Sequence, residues 1–388
     1  MDALILSCGT GGGHNSAGTA IAEELAHRGF NVETLDPYSL AGDGVARKIG
    51  NAYVKLVQKS PRAFGVLYGA AQGVRSIPFH SPVYWANALM AERMAAFLSQ
   101  RHFDIAVMPH LFPAEIFTYM KEHGCNVPKS VFIATDYTCI PFTEETGCDY
   151  YVIPSPLLSA DFERRGVDAE KLQPFGIPVR AQFRTAGTKA QARQRLGLEP
   201  SGQYILLSGG SIGAGKLENA IVQLLRSAQL HIIAICGNND ALYTRLSRQY
   251  SGCTQLILLK STPDMAEYMR ACDLFISKPG GLSSTEAAVM GIPLVHYSPI
   301  PGCESFNVRF FQERGMSVPA DEHNLFKTAM QLMEPACAQA MIQNQKKYIN
   351  AAATVEIGDF IEHICRCQRQ ETAQPFFPAL DDAQMVLT

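Results

Sequence analysis

Short, mostly apolar runs alternate along this chain with stretches of helical periodicity, and after one break the rhythm starts again. The first half carries such runs at 3–7, 31–35, 105–109, 130–135 and 149–153, the second at 204–207, 231–236, 255–259, 274–277 and 294–297. Strands this apolar must be covered on both faces, and helices alternating with strands achieve that by wrapping a parallel sheet. The break, around 175–188, is polar and carries Gly176, Pro178 and Gly187. The pattern therefore predicts an α/β chain of two doubly wound, Rossmann-like domains facing a cleft. They span 1–176 and 188–369, with a linker at 177–187 and a loose, non-periodic tail at 370–388. In such sheets ligands sit beyond the carboxyl ends of the strands, so the cleft is the expected site.

Composition excludes several function classes. A formal net charge of −3 leaves no overall field to attract nucleic acid, and no nucleic-acid partner is expected. The eleven cysteines are scattered without a CxxC pair, the nearest approach being Cys365 and Cys367 around Arg366. Thiols in a reducing compartment are expected, with neither a disulfide framework nor a metal site. No apolar run approaches the roughly 20 residues of a membrane-crossing helix, and the first residues lack the basic start of a signal peptide. The expectation is a cytoplasmic protein whose membrane contact is peripheral.

One segment of different character, 44–98, interleaves Lys48, Lys55, Lys59, Arg62 and Arg75 with Tyr53, Phe64, Tyr68, Phe79, Tyr84 and Trp85. Two readings stand: a helical pair packed on the sheet with a solvated basic face, or a surface helix whose aromatics enter a bilayer interface. In the second, lysines meet an anionic membrane surface.

Four loops carry the chemistry. Ser7-Cys8-Gly9-Thr10-Gly11-Gly12-Gly13-His14 lies between a strand and a helix, where glycines let backbone N–H groups approach an anion. A dinucleotide fingerprint would have a third glycine where His14 stands, and a bulky ring there spoils close packing, although Asp36 is placed as a ribose acid. A histidine at the mouth of such a loop titrates near working pH and can take a proton from a hydroxyl; a helix-capping or structural role is the alternative. The second loop runs from Ser208 through Gly209, Gly210 and Ser211 to Gly215 and Lys216, and nearly matches a P-loop. Leu217, however, stands where a magnesium-binding Ser or Thr would be needed.

The third loop, Lys278-Pro279-Gly280-Gly281-Leu282-Ser283-Ser284-Thr285-Glu286, makes a tight turn into a helix that Ser283 is placed to cap, with Glu286 expected in its first turn. That carboxylate either complements the helix dipole or binds vicinal ribose hydroxyls. In the fourth, Pro301-Gly302-Cys303-Glu304-Ser305-Phe306-Asn307, Glu304 and Asn307 share a helix face, as sugar ligands or as a capping pair.

Taken together these residues resemble the family 28 glycosyltransferases. The nearest branch is the diacylglycerol glycosyltransferases, which include the monogalactosyldiacylglycerol synthases. The likeness rests on GGGH at 11–14, TDY at 135–137, DYYV at 149–152, GIP at 176–178, SGGS at 208–211, KPGG…EA at 278–287 and PGxExxN at 301–307. It implies a GT-B architecture and metal-free, inverting transfer of a hexose from a UDP-sugar to a membrane lipid, diacylglycerol above all. The UDP-sugar enters as donor substrate and no cofactor is implied. The inner face of the cell membrane is the implied place of work.

Carried over by residue, the resemblance makes His14 the base or an acceptor-orienting group, with Gly12, Gly13, Asp136 and Tyr137 on the acceptor side. It puts Gly210, Ser211, Met265, Gly280, Gly281, Leu282, Ser283 and Ser284 around the donor, Glu286 on the ribose, and Gly302, Glu304 and Asn307 on the hexose side. Two departures are plain: Cys303 replaces the family's glutamine, and Ile140 and Thr143 replace the histidine and tryptophan of TDYxxHxxW. UDP-GlcNAc transfer to an undecaprenyl-linked cell-wall precursor is the alternative within the superfamily. A non-catalytic nucleotide-sugar or lipid-binding protein is the alternative outside enzymes.

Overall fold

The computed structural model describes residues 1–9, 12–42, 44–46, 48, 80–211, 213 and 216–373. The apolar runs become two six-stranded sheets in which every neighbouring pair is parallel. The first contains β1 (Asp2–Leu6), β2 (Asn31–Leu35), β3 (Ile105–Met108), β4 (Lys129–Ile133), β5 (Tyr150–Val152) and β6 (Leu172–Gln173) in the order 2-1-3-4-5-6. The second contains β7 (Gln203–Ser208), β8 (Leu230–Ile235), β9 (Leu256–Leu259), β10 (Leu274–Ser277), β11 (Leu294–Tyr297) and β12 (Val318–Ala320) in the order 12-11-10-7-8-9. The short edge strands β6 and β12 escape sequence reading. Each has too few residues to show a pattern, and β12 tolerates Pro319 because one side needs no ladder bond.

Strand order reverses at β1 in the first sheet and between β7 and β10 in the second, and at such switch points loops part to leave a crevice. The glycine-rich loops after β1, β7 and β10 open there. Ala3, Leu4, Ile5 and Leu6 are all fully buried, yet they feed opposite faces. Leu4 and Leu6 pack with Met108 and Phe132, whereas Ala3 and Ile5 pack with Ile21, Leu25, Ile105 and Val107. Ile21 and Leu25 come from α1 (Gly12–His27), whose start carries the first glycine loop.

The C-terminal boundary differs from expectation. The last helix, labelled α5 below (Ala353–Ala373), leaves the second domain and lies on the first sheet, where Ile357, Ile361 and Ile364 join the Ala3–Ile5 cluster. Burying an isoleucine contributes about 1.5–3 kcal/mol, which makes this crossing a structural element of the first domain. Arg28, just past the end of α1, binds the helix through Asp359 (2.6 Å), Glu362 (3.2 Å) and the Val355 carbonyl (3.0 Å). A Cβ at Gly358 would stand 2.6 Å from Arg28 Nε, so a larger residue there would push the Arg28 side chain aside. The unit expected over 188–369 thus gives up its end, and the tail expected from 370 begins as helix; 374–388 lie outside the described residues.

Of the 44–98 segment, the helices Pro82–Ala88 and Ala91–Ser99 are described and pack against α2 (Leu111–Glu122). Tyr84, expected among the interfacial aromatics, is instead fully buried, its hydroxyl donating to Glu122. Trp85 is 54% and Leu89 76% exposed. Lys55, Lys59, Arg62, Arg75, Tyr53, Phe64, Tyr68 and Phe79 lie outside the described residues. Among the described residues no helix is long and apolar enough to cross a membrane.

Candidate active site

The two domains enclose a cleft of about 390 Å³. On one side it is lined by the start of α1 with Gly12, Gly13, His14 and Ser16, and by Thr135 and Asp136 after β4. On the other side stand Gly210 and Ser211 after β7, the turn Lys278 to Ser283, Glu286, and Cys303 with Glu304. The loops touch directly: the Gly12 N–H donates to Ser211 Oγ at 2.9 Å. A Cβ on Gly281 would stand 2.0 Å from the Thr135 carbonyl oxygen, so first-domain backbone rests on the start of a second-domain helix.

His14 sits at this seam. Its Nδ1 is 2.8 Å from the Pro109 carbonyl, with Thr135 Oγ1 2.9 Å away. A carbonyl can only accept, so Nδ1 carries the hydrogen and Nε2 keeps its lone pair. The ring edge meets His110 at a centroid distance of 4.6 Å. Burial pulls the His14 pKa below the ordinary imidazole range, against the opposing charge of Asp136 and the Pro109 hydrogen bond. A neutral imidazole with one fixed tautomer suits proton acceptance.

Across the cleft stands α3 (Gly281–Met290). Ser283 does not cap it. Gly280 is the N-cap and contributes no side chain; Ser283 Oγ bonds the Gly280 carbonyl at 3.2 Å from within the first turn. The first intrahelical bond runs from Ser284 N to Gly280 O at 3.0 Å. The N–H groups of Gly281, Leu282 and Ser283 therefore project from the helix end, where the dipole favours an anion. Glu286 lies in the second turn rather than the first, because the helix begins two residues before Ser283. Its side chain is buried, and desolvation pushes the pKa up from 4.5 to about 8, with Arg180 and Ser16 opposing. It lines the cleft as a neutral acid at pH 7, able both to donate and to accept.

Glu304, at the start of α4 (Cys303–Glu313), pairs with Lys278 and accepts from Ile300 N at 2.7 Å. Burial raises its pKa and the Lys278 charge opposes this. The Cys303 thiol also lines the cleft; desolvation first, then Asp136 and Glu304, push its pKa well above the usual range, so it is a neutral, weak donor there. Among the described residues no three His, Cys, Asp or Glu side chains converge to hold a metal ion.

Thirteen of the expected residues line the cleft: Gly12, Gly13, His14, Asp136, Gly210, Ser211, Met265, Gly280, Gly281, Leu282, Ser283, Glu286 and Glu304. Tyr137, Ser284 and Asn307 are buried behind the lining, and Gly302 is not part of it. Ser284 Oγ is spent on the Gly280 carbonyl (2.8 Å) and His296 Nε2 (2.9 Å). Tyr137 points into the second domain's core, and Asn307 is fully buried with its amide bonded on both sides. Sequence reasoning missed two cations of the lining, Lys278 and Arg180. Lys278 stands inside the KPGG motif, where its charge was a legible signal. Arg180 lies in the linker, and only the fold brings it to Glu286.

Solved structures of this architecture are at hand. MurG of Acinetobacter baumannii superposes with a TM-score of 0.59 at 15% identity, covering 93% of this chain and 99% of that one. Anabaena HepE in complex with UDP-glucose gives 0.53 at 15%, covering 96% and 99%. The fold is GT-B, and the chain is a glycosyltransferase of that architecture. Residues 14–179 match the family model for monogalactosyldiacylglycerol (MGDG) synthase, and residues 204–300 the glycosyltransferase family 28 C-terminal domain. The first domain is thus similar to the monogalactosyldiacylglycerol synthases and the second to the family 28 glycosyltransferases. A processive diacylglycerol beta-glucosyltransferase of Bacillus pumilus is 23% identical over 366 residues, 92% of this chain and 94% of that protein.

Proposed function

We propose that this enzyme transfers a hexose from a UDP-sugar to diacylglycerol with inversion and without a metal, working peripherally on the inner face of the cell membrane. The observation that carries the reading is the placement of His14 opposite the N-terminus of α3, its Nδ1 committed to Pro109 and its Nε2 without a hydrogen-bond partner among the described residues.

The acceptor hydroxyl is a weak nucleophile. Its oxygen attacks the anomeric carbon on the face away from the diphosphate while its proton passes to His14 Nε2. The bond from the anomeric carbon to the diphosphate oxygen breaks, and the electron pair leaves with the phosphate. That growing charge meets the N–H groups of Gly281, Leu282 and Ser283, with the Lys278 ammonium and the Arg180 guanidinium in the same cleft. Glu286, as a neutral acid, takes the ribose hydroxyls. The relatives named processive diacylglycerol beta-glucosyltransferases support the acceptor, and the UDP-glucose complex of a fold neighbour supports the donor class.

The test is incubation with labelled UDP-glucose, UDP-galactose and UDP-GlcNAc in excess chelator, with diacylglycerol in neutral or anionic vesicles. Hexose label in the lipid phase is expected, more with anionic vesicles at low salt. Label only on an undecaprenyl-linked acceptor, transfer only with added magnesium or manganese, or no transfer from any donor would each refute the reading.

A further inference from the structure

Asn307 touches neither the cleft nor solvent, yet its amide is fully committed across the domain boundary. Its Oδ1 accepts from the Tyr137 N–H at 2.7 Å, and its Nδ2 donates to Asp136 Oδ1 at 2.8 Å and to the Pro279 carbonyl at 2.9 Å. Two of these partners belong to the first domain and one to the turn that opens α3. Beside it the Tyr137 ring stacks on Phe310 of α4 at 4.6 Å and meets Phe311 edge-on at 4.9 Å. The Tyr137 hydroxyl pairs with Thr285 of α3 at 2.7 Å, so a first-domain side chain is embedded in the second domain's core.

We infer that Asn307 is a positioning residue: from the second domain it holds the Asp136 carboxylate in the cleft beside His14, so the base is assembled only when the domains are docked through Tyr137. This rests on the reading of His14 as base. An amide is needed there because it alone offers an acceptor to one backbone N–H and donors to both a carboxylate and a carbonyl. Asp136 is the anion whose charge favours the imidazolium that forms on His14 as the proton arrives. From the second domain Glu304, itself paired with Lys278, and the Cys303 thiol face the same carboxylate; from the first, His14 and, behind it, His110.

Asn307→Asp tests this, since it keeps size and the Tyr137 bond while setting a second carboxylate 2.8 Å from Asp136. Two carboxylates so close share a proton at low pH and repel at high pH. The expected result is a fall in kcat of about a hundredfold at pH 8, the scale of a 1 Å misplacement of a catalytic group. The donor KM stays unchanged, and the deficit shrinks as pH falls toward about 6 because the shared proton restores the bond. A raised donor KM with an unmoved pH profile would make Asn307 a sugar contact and overturn the inference.

Asp136→Asn serves where the first variant does not fold. It should lower kcat and move the acid limb of the profile to lower pH, because His14 loses the charge favouring its protonated form. An unmoved limb overturns the inference. UDP affinity, measured by titration, stays at the parent value in both variants. Absence of transfer by the parent would instead indict the proposed reaction.

Discussion

Glu286→Gln isolates the cost of burying an acid in the cleft. The side chain is 7% exposed and desolvation holds its pKa at about 8 instead of 4.5. The folded state therefore binds a proton that the unfolded chain has released between those values. With the folded pKa raised, stability is fully present below 4.5 and is lost as pH rises through 8. At about 1.4 kcal/mol per unit, the whole penalty amounts to roughly 5 kcal/mol, of which roughly 3 kcal/mol develops between pH 6 and 9. Glutamine has the same shape and cannot ionise, so the variant lacks this slope. Unfolding of parent and variant, without ligand, is followed at pH 6 and pH 9. The variant's advantage should grow by roughly 3 kcal/mol between them, or roughly 6–12 °C in midpoint for one domain. An equal gap at both pH values would refute the claim that this carboxyl titrates so high. UDP affinity at pH 7 should stay near the parent's in Glu286→Gln and fall in Glu286→Ala.

Replacing His14 by alanine should reduce transfer by about 10²–10⁴-fold while calorimetry shows UDP binding intact. In the parent, the acid limb of the rate profile should lie below the ordinary imidazole pKa, since burial lowers that of His14. Near-full activity of the variant on saturating acceptor would make the ring structural and bring Asp136 forward as base. Gly281→Ala puts a Cβ 2.0 Å from the Thr135 carbonyl and should cost roughly 1–3 kcal/mol in denaturation midpoint together with transfer activity. Wild-type stability and turnover would mean the domains do not rest on that contact.

The chain's own pattern determined the sheets and the loops. Runs such as Ala3 to Leu6 and Ile232 to Ile235 can only be strands covered on both faces, because no polar alternation offers a solvent side. Glycines placed after β1, β7 and β10 mark where backbone must approach a ligand, and thirteen expected residues meet in one cleft for that reason. Such features are local: propensity, periodicity and turn chemistry act over a few neighbouring residues. What lay beyond them depends on contacts distant in sequence. The periodicity of 353–373 marks a helix but not that it lies on the first sheet, since Ile357 is complementary to a surface made by Ala3, Ile5 and Ile21. Asn307 and Glu304 share a helix face, yet one is sealed behind Tyr137 and the other borders the cleft, because the docking of a loop 170 residues away in the chain covers only one of them. Arg180 reaches Glu286, and the Pro109 carbonyl chooses the His14 tautomer, through the same global packing. Residue type and spacing are written along the chain; burial, which sets the charge on Glu286 and His14, exists only once distant segments exclude water together.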